Sequence, residues 1–340
     1  MEQDHRDARQ ALGRDRRPLI EKPWGKDRRH QPEAGNVARR VARDVDPASP
    51  GGLLHVHGRL PCTVRGTTTL VVMAHLQSSA SLLADADNLL HRRDEGLVPR
   101  PLVAGVDAVI HLAGANVGDK RWTKRYKSEI LNSRLLGTTT IANAVNELKP
   151  KVFISSSAIG WYGETGNRAV TESDRGGDDF LAAVCREWEA AADLVTGVRT
   201  VKIRTGLVLE PTGGALGRML PLFRFGLGGK LGNGKQWWSW ITLHDELRAI
   251  EFILENEKLS GAINLTSPNP VTNQEFTSAL ARALRRPALF PAPAIALKLA
   301  LGGFSTEILG SKKVIPGVLQ EAGFQFDYPH IGPALEALTD

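Results

Sequence analysis

Long apolar runs are missing from this 340-residue sequence. No stretch approaches the roughly 20 consecutive apolar residues that a membrane span needs. The polar, Arg-rich N-terminus has no apolar core of the kind a secretory signal carries. A cytoplasmic protein is therefore expected, with no membrane partner. Cysteine is almost absent: Cys62 and Cys185 stand far apart and match no zinc or redox spacing. Neither a disulfide framework nor a metal site is supported. Tyrosine is confined to Tyr126, Tyr162 and Tyr328, and none has Lys four positions later. The chain before residue 100 also lacks a glycine-rich phosphate loop. Gly51, Gly52, Gly58 and Gly66 form neither GxGxxG nor GxxGxxG, and Pro61 with bulky neighbours fills Arg59–Arg65. Such glycines let a backbone approach a pyrophosphate and place it on a helix N-terminus.

The net charge of +6 brings no nucleic-acid signature. Much of the arginine lies in the first 45 residues, interleaved with Asp and Glu. No aromatic RNP motif, zinc finger or helix-turn-helix pattern accompanies it. A small-molecule substrate is the expected partner, and nucleic acid is not.

Residues 1–50 read as a disordered, Arg-rich segment with a helix conceivable over Val37–Val45. Between 51 and 100, Leu53–Val56 and, better, Thr67–His75 suit strands, and Ser81–Leu90 suits a helix. From Val103 the pattern becomes coherent. Val106–Leu112 reads as a buried strand, Trp122–Leu148 as a long helix stopped by Pro150, and Lys151–Gly163 opens on another buried strand. A helix over Asp178–Val195 and a strand over Thr200–Ile203 follow. This alternation predicts right-handed βαβ units and a Rossmann-like, doubly wound parallel sheet of the α/β class. The remainder predicts a smaller lobe: helices over Ala215–Phe225, Asp245–Glu255 and Asn273–Leu284 (capped by Thr272), a mobile loop over Gly226–Gly234, and a strand over Ala262–Leu265. An amphipathic helix near Ile295–Leu301 and a last helix around Pro333–Leu338 complete it.

The most informative stretch is KVFISSSAIGWYG, Lys151–Gly163. Val152, Phe153 and Ile154 suit a strand buried on both faces. Ser155, Ser156 and Ser157 then stand at its carboxyl end, where open α/β sheets bind ligands. They either cap the next segment or line a site. Trp237, Trp238 and Trp240 form either a substrate wall or packing, and packing is preferred. His111 has no partner at ligand spacing and reads as a satisfied structural histidine. In His244-Asp245-Glu246, Asp245 suits a helix start at the lobe interface. Lys120, Lys124 and Lys127 read as one solvated helix face, and Tyr162 as a packing residue.

From about Ala104 onward the chain resembles the extended short-chain dehydrogenase/reductase superfamily. The pieces are HLAGAN at His111–Asn116, RWT at Arg121–Thr123, SR..GT within Asn132–Thr138, SSSAIGWYG, FLAAVCREWEAAA at Phe180–Ala192 and RTGLVLEPTGGAL. GLGGKLGNGKQWWSWITLHDE, GAINLTSPNPVTNQEF and KKVIPGVLQEAGFQFDYP continue it in the same order. The resemblance is to the atypical, NAD-dependent-epimerase-like branch that ends in a DUF1731 domain. It implies a Rossmann-like domain over 51–285 and a C-terminal DUF1731-like domain over 286–340 that forms a small substrate lobe. It also implies a dinucleotide, NADP(H) rather than NAD(H), serving an epimerase or oxidoreductase reaction. By position, Ala113 and Gly114 lie beside the cofactor ribose and phosphates, and Ser155 and Ser156 lie near the nicotinamide. Ser157 matches the catalytic serine that polarises a substrate carbonyl. Arg204, Thr205, Gly206 and Leu207 follow the sixth strand of the superfamily sheet, against the nicotinamide amide.

Two departures stand out. The superfamily's acid/base is a Tyr whose pKa is lowered by a Lys four residues on; here Leu181 and Cys185 stand near those places. The pair's absence leaves open a non-catalytic dinucleotide-binding or regulatory protein, and the altered N-terminus leaves open a chain that has lost cofactor binding. The second departure is the N-terminal glycine-rich turn. Its abrupt loss over 51–100 is what a shifted reading frame or a wrongly chosen start would produce.

Overall fold

The structure is a computed structural model that describes residues 69–72 and 106–339. The expectations for residues 1–50, Leu53–Val56, Ser81–Leu90 and the missing glycine turn lie outside these residues. The described strands are β1 (Thr69–Val72), β2 (Ala108–His111), β3 (Val152–Ala158), β4 (Arg199–Thr205), β5 (Leu207–Leu209), β6 (Trp237–Trp238), β7 (Trp240–Thr242), β8 (Gly261–Leu265) and β9 (Val271–Thr272). Five of them form one parallel sheet in the order β1-β2-β3-β4-β8.

The helices explain why the sheet is parallel. Between β2 and β3 runs α1 (Lys124–Leu148), whose first turn is capped by Thr123 accepting from the Tyr126 amide. Between β3 and β4 runs α2 (Phe180–Ala192), capped by the Asp179 carboxylate on the Ala182 amide. Each crossover returns the chain to the same end of the sheet. Val109 and Phe153 pack against Val145 of α1 and Ala192 of α2. On the other face Ile110, Ile154, Ile203 and Ile263 pack with Ile250 and Ile253 of α4 (Leu243–Glu255). Apolar residues on both faces are what the unalternating run Val152–Ile154 predicts.

The strand is longer than its apolar run. β3 continues through all three serines to Ala158, because Ser155, Ser156 and Ser157 pair with Lys202, Ile203 and Arg204. Backbone pairing with β4 overrides the weak strand preference of serine.

The smaller lobe packs α3 (Gly214–Arg224), α5 (Asn273–Ala283) and a C-terminal helix, Ile331–Thr339, around Trp240 and Phe276. Thr272 and Glu275 form a reciprocal capping box at the start of α5. Trp240 is wholly buried, and Trp238 lies 5.2 Å from Phe276, so these two rings pack. The glycine loop is pinned rather than free. Leu231 bridges to Ala292, and the Gly232 and Gly234 amides donate to the carbonyls of Ala292 and Leu231. The helix α6 (Ala294–Leu301) is apolar on every side except at Lys298, and none of its residues is buried. It is therefore not the amphipathic helix expected.

The C-terminal segment Ser311–Ile315 ties the lobe to the sheet domain. Thr165 donates from its amide to Ser311, Val170 to Lys313, and Ile315 donates back to Val170. The Ser239 hydroxyl receives the Val314 amide at 2.7 Å and reaches the Lys312 carbonyl at 2.8 Å. Gly206 lies beside this seam. A Cβ there would sit 2.7 Å from the Ser239 carbonyl oxygen and 2.8 Å from a Thr266 methyl. Gly206→Ala is expected to destabilise the fold by about 1–3 kcal/mol, as overpacking does. Urea unfolding checks this, and an unchanged midpoint contradicts the close approach.

Candidate active site

The carboxyl ends of β3 and β4 are held by a buried polar chain. Glu189 reaches from α2 and accepts two bonds from Arg204 on β4, Nε to Oε1 at 2.8 Å and Nη2 to Oε2 at 3.0 Å. The Ser157 hydroxyl donates to the same Oε1 at 2.7 Å. Arg204 Nη1 donates to the Tyr162 hydroxyl at 3.0 Å, and Tyr162 donates to Asn264 Oδ1 at 2.7 Å. Asn264 on β8 passes its amide to the Ile315 carbonyl at 2.9 Å. The turn Ile159–Tyr162 after β3 lays Trp161 over the guanidinium, 4.0 Å from its Cζ. Burial works against the charge on Arg204, but the bonds and charge of Glu189 outweigh it and hold the guanidinium above its ordinary pKa. Burial pushes Tyr162 up to about 12. The phenol stays protonated and packs, as its sequence context suggests.

The places where the superfamily keeps Tyr and Lys are closed. A Cβ on Gly160 would lie 3.3 Å from Leu181 Cβ and 3.5 Å from Cys185 Sγ, so turn and helix are in contact there. Burial raises the Cys185 thiol to about 12, and Leu181 has nothing to ionise. Neither can trade a proton near neutral pH.

At the end of β2, Ala113 is fully buried and the Ala115 amide donates to Ser133 Oγ at 3.1 Å. Arg134 on α1 fills the space behind Gly114, whose Cβ would fall 3.1 Å from its Cζ. Its Nη1 donates to the Ala115 carbonyl at 2.9 Å, and the guanidinium lies 4.7 Å from the Trp188 ring. Burial lowers its pKa, and no carboxylate among the described residues pairs with it. His111 donates to or accepts from Thr138 through Nε2 at 3.1 Å, while Nδ1 has no partner among the described residues. Burial lowers it to about 4, so the ring is neutral and only half satisfied.

An open crevice of about 150 Å³ lies between the sheet end and the C-terminal segments. Trp122, Phe180 and Leu181 supply its apolar wall; Glu164, Asp179, Glu307, Lys127 and Lys312 supply charge. Trp122 and Phe180 meet edge to face at 5.2 Å. Lys127 lies over Phe180 at 4.7 Å, so it faces this crevice instead of forming a purely solvated helix face. Lys312 is nearly buried and bonds Glu307 at 2.8 Å. Its burial opposes the charge, yet Glu307, with Asp179 and Glu164 behind it, raises its pKa and keeps it cationic.

The residues singled out from sequence are thus held in different ways. Ser157 and Arg204 come together, but on Glu189; in this geometry the Ser157 proton serves a carboxylate and not an open surface. Ser155 is fully buried, with its hydroxyl on the Ser156 carbonyl, while Ser156 is half-buried on the other side of the sheet. Thr205 donates to Glu246 Oε1 at 2.8 Å, and the Gly206 and Leu207 amides are spent on the carbonyls of Leu265 and Ser239. Asp245 accepts the amides of Asp327 and Tyr328 and pairs with Arg248, a structural tie to the C-terminal segment. His244, Asp245 and Asp327 converge, but Arg248 already bridges both aspartates. Glu189, Arg134 and Lys312 were not singled out, and Lys127 was read only as part of a solvated face. Arg134 lies inside the quoted SR..GT piece, which was the available signal.

Two outcomes follow from this geometry. Ser157→Ala removes a bond to a charged group and is expected to cost about 1–3 kcal/mol in urea unfolding; no measurable loss contradicts the engaged hydroxyl. Glu246 is buried, its Oε2 has no partner among the described residues, and burial raises its pKa from 4.5 to about 8. The folded state therefore holds a proton that the unfolded state releases. Stability is full below the ordinary carboxylate range and falls as pH rises toward 8. Glu246→Gln should raise the melting temperature over the parent by several degrees above pH 8 and much less at pH 4.5. A difference independent of pH overturns this.

Comparison with known proteins agrees with the fold. Residues 65–182 match the NAD dependent epimerase/dehydratase family, and residues 292–338 match the domain of unknown function DUF1731. The first match reaches back into the stretch that looks degenerate in sequence and includes β1. An epimerase family protein of Mycobacterium leprae is 44% identical over 259 residues, 75% of this chain and 84% of the relative. The chloroplastic SDR39U1 homologue of Arabidopsis thaliana is 40% identical over 241 residues, 69% of each chain. The crystal structure of human epimerase family protein SDR39U1 (isoform 2) with NADPH superposes with a TM-score of 0.69 at 31% identity, covering 80% of this chain and 90% of that one. No described helix is long and apolar enough to cross a membrane. A parallel sheet built by βαβ crossovers, a DUF1731 segment threaded onto its carboxyl end and these relatives together place the chain in the NAD dependent epimerase/dehydratase family, among the epimerase family proteins.

Proposed function

We propose that the chain binds NADP(H), in preference to NAD(H), across the carboxyl ends of β2, β3 and β4. It then acts as an epimerase or oxidoreductase on a small substrate held in the crevice. The observation that carries this reading is Arg134. A half-buried guanidinium behind Gly114, with no carboxylate partner among the described residues, suits an anionic phosphate. The missing side chain of Gly114 lets the Arg134 guanidinium reach the end of β2, and that donor set fits a phosphate. The NADPH in the human relative supports the same choice. When bound, the cofactor would supply hydride chemistry. The chain's own part is to position it and to surround the substrate with the aromatic wall and charges of the crevice. Any proton transfer falls to Glu164, Asp179 or Glu307, because Leu181 and Cys185 cannot perform it and Lys312 is held cationic.

A second reading, a dinucleotide-binding protein without turnover, is favoured by Leu181, Cys185 and the engaged Ser157 hydroxyl. Titration of purified protein with NADPH, followed by its fluorescence, tests binding. Arg134→Met is expected to weaken affinity about 10-fold to 100-fold, the usual worth of a charge-assisted bond. Unchanged affinity removes Arg134 from the site, and no binding to the parent overturns both readings. NADPH consumption with a panel of carbonyl compounds separates them: turnover supports the first, and its absence across the panel supports the second.

A further inference from the structure

The smaller lobe exposes an apolar surface that neither the sheet nor the crevice uses. Phe225 is 81% exposed and Leu289 75%; Leu227, Phe290, Ile295 and Leu299 are also exposed. The two segments that carry them are tied together. The Phe290 amide donates to the Gly228 carbonyl at 3.2 Å, the Ala292 amide donates to Lys230 at 2.9 Å, and Leu231 bridges to Ala292. Ile295 and Leu299 lie four residues apart on α6, hence on one face of a helix that buries none of its residues. An apolar helix left on a surface signals an occupant.

Charge identifies the occupant's chemistry. The sequence contains no Asp or Glu between Glu210 and Asp245, and none between Glu275 and Glu307. These are the stretches that carry the apolar surface. They also carry exposed Arg224, Arg282, Arg285, Arg286 and Lys298. A second copy apposed through the same face would set these cations against one another. A nucleic acid would meet the cations and stack on Phe225 and Phe290, but would leave Leu227, Leu289, Ile295 and Leu299 in water. An anionic lipid surface satisfies both sets: the aliphatic and aromatic side chains enter the headgroup and acyl boundary, and the cations meet the headgroups.

We propose that the face formed by the Phe225–Lys230 loop, the Arg285–Phe290 turn and α6 docks the protein peripherally on an anionic bilayer. This needs no membrane-spanning segment and does not depend on what the crevice binds. The test is flotation of the full chain with liposomes of phosphatidylcholine alone and of phosphatidylcholine mixed with phosphatidylglycerol. Binding to the mixed vesicles only, weakened by added salt, is the expected result. Phe225→Asp with Phe290→Asp, and separately Arg285→Glu with Arg286→Glu, should each reduce the bound fraction by roughly tenfold or more. Circular dichroism and the melting temperature report that both variants remain folded, as substitution of exposed side chains allows. No flotation, or equal flotation with both vesicles, overturns the proposal. So does parent-level vesicle binding by folded variants, or a dimer in sedimentation velocity that the phenylalanine variants abolish.

Discussion

The bidentate pair between Glu189 and Arg204 is the constraint on which the sheet's functional end depends. It joins α2 to β4, takes the Ser157 hydroxyl from β3, and continues through Tyr162 and Asn264 to β8 and the C-terminal segment at Ile315. Both charges lie away from water, so each is tolerable only because the other is present. Of the segments that border the crevice, the loop after β3 and the start of α2 adjoin members of this chain. The pair thus steadies the elements that carry Glu164 and Asp179 to the crevice.

That arrangement changes how the site is understood chemically. A family serine placed at a strand end invites the role of carbonyl polariser. Here its proton is already committed, and the two positions of the usual acid/base pair are a leucine and a buried thiol held in the neutral form. The ionisable groups that face open space come from elsewhere: the α2 cap, the loop after β3, and the Lys312–Glu307 pair of the C-terminal domain. The DUF1731 segment thus contributes directly to the crevice. Its strand-like stretch Ser311–Ile315 is bonded on one side to Thr165 and Val170 and on the other to Ser239.

Much of the fold was legible because local rules agree with one another. The apolar spacing of α1, the Asp179 cap of α2, the Thr272–Glu275 capping box and the double-sided apolar run of β3 each point to the element that forms. Long-range contacts were not legible. Nothing local says that Ser157 points at Glu189, thirty-two positions away, or that Lys312 folds back beside Asp179. The three serines at the end of β3 were legible from their place after the apolar run; that β4 is the strand that pairs with them was not. The nature of α6 was hidden by its composition, since an apolar helix ordinarily finds a core.

The most direct test of this account is a double-mutant cycle on Glu189→Met and Arg204→Met, read by urea unfolding. Either single substitution should cost about 3–5 kcal/mol, because it strands a buried charge. The double substitution should cost less than the sum of the singles by well over 1 kcal/mol, roughly the margin beyond which coupling is clear. Two small, additive losses would show that the pair does not hold this end of the sheet together.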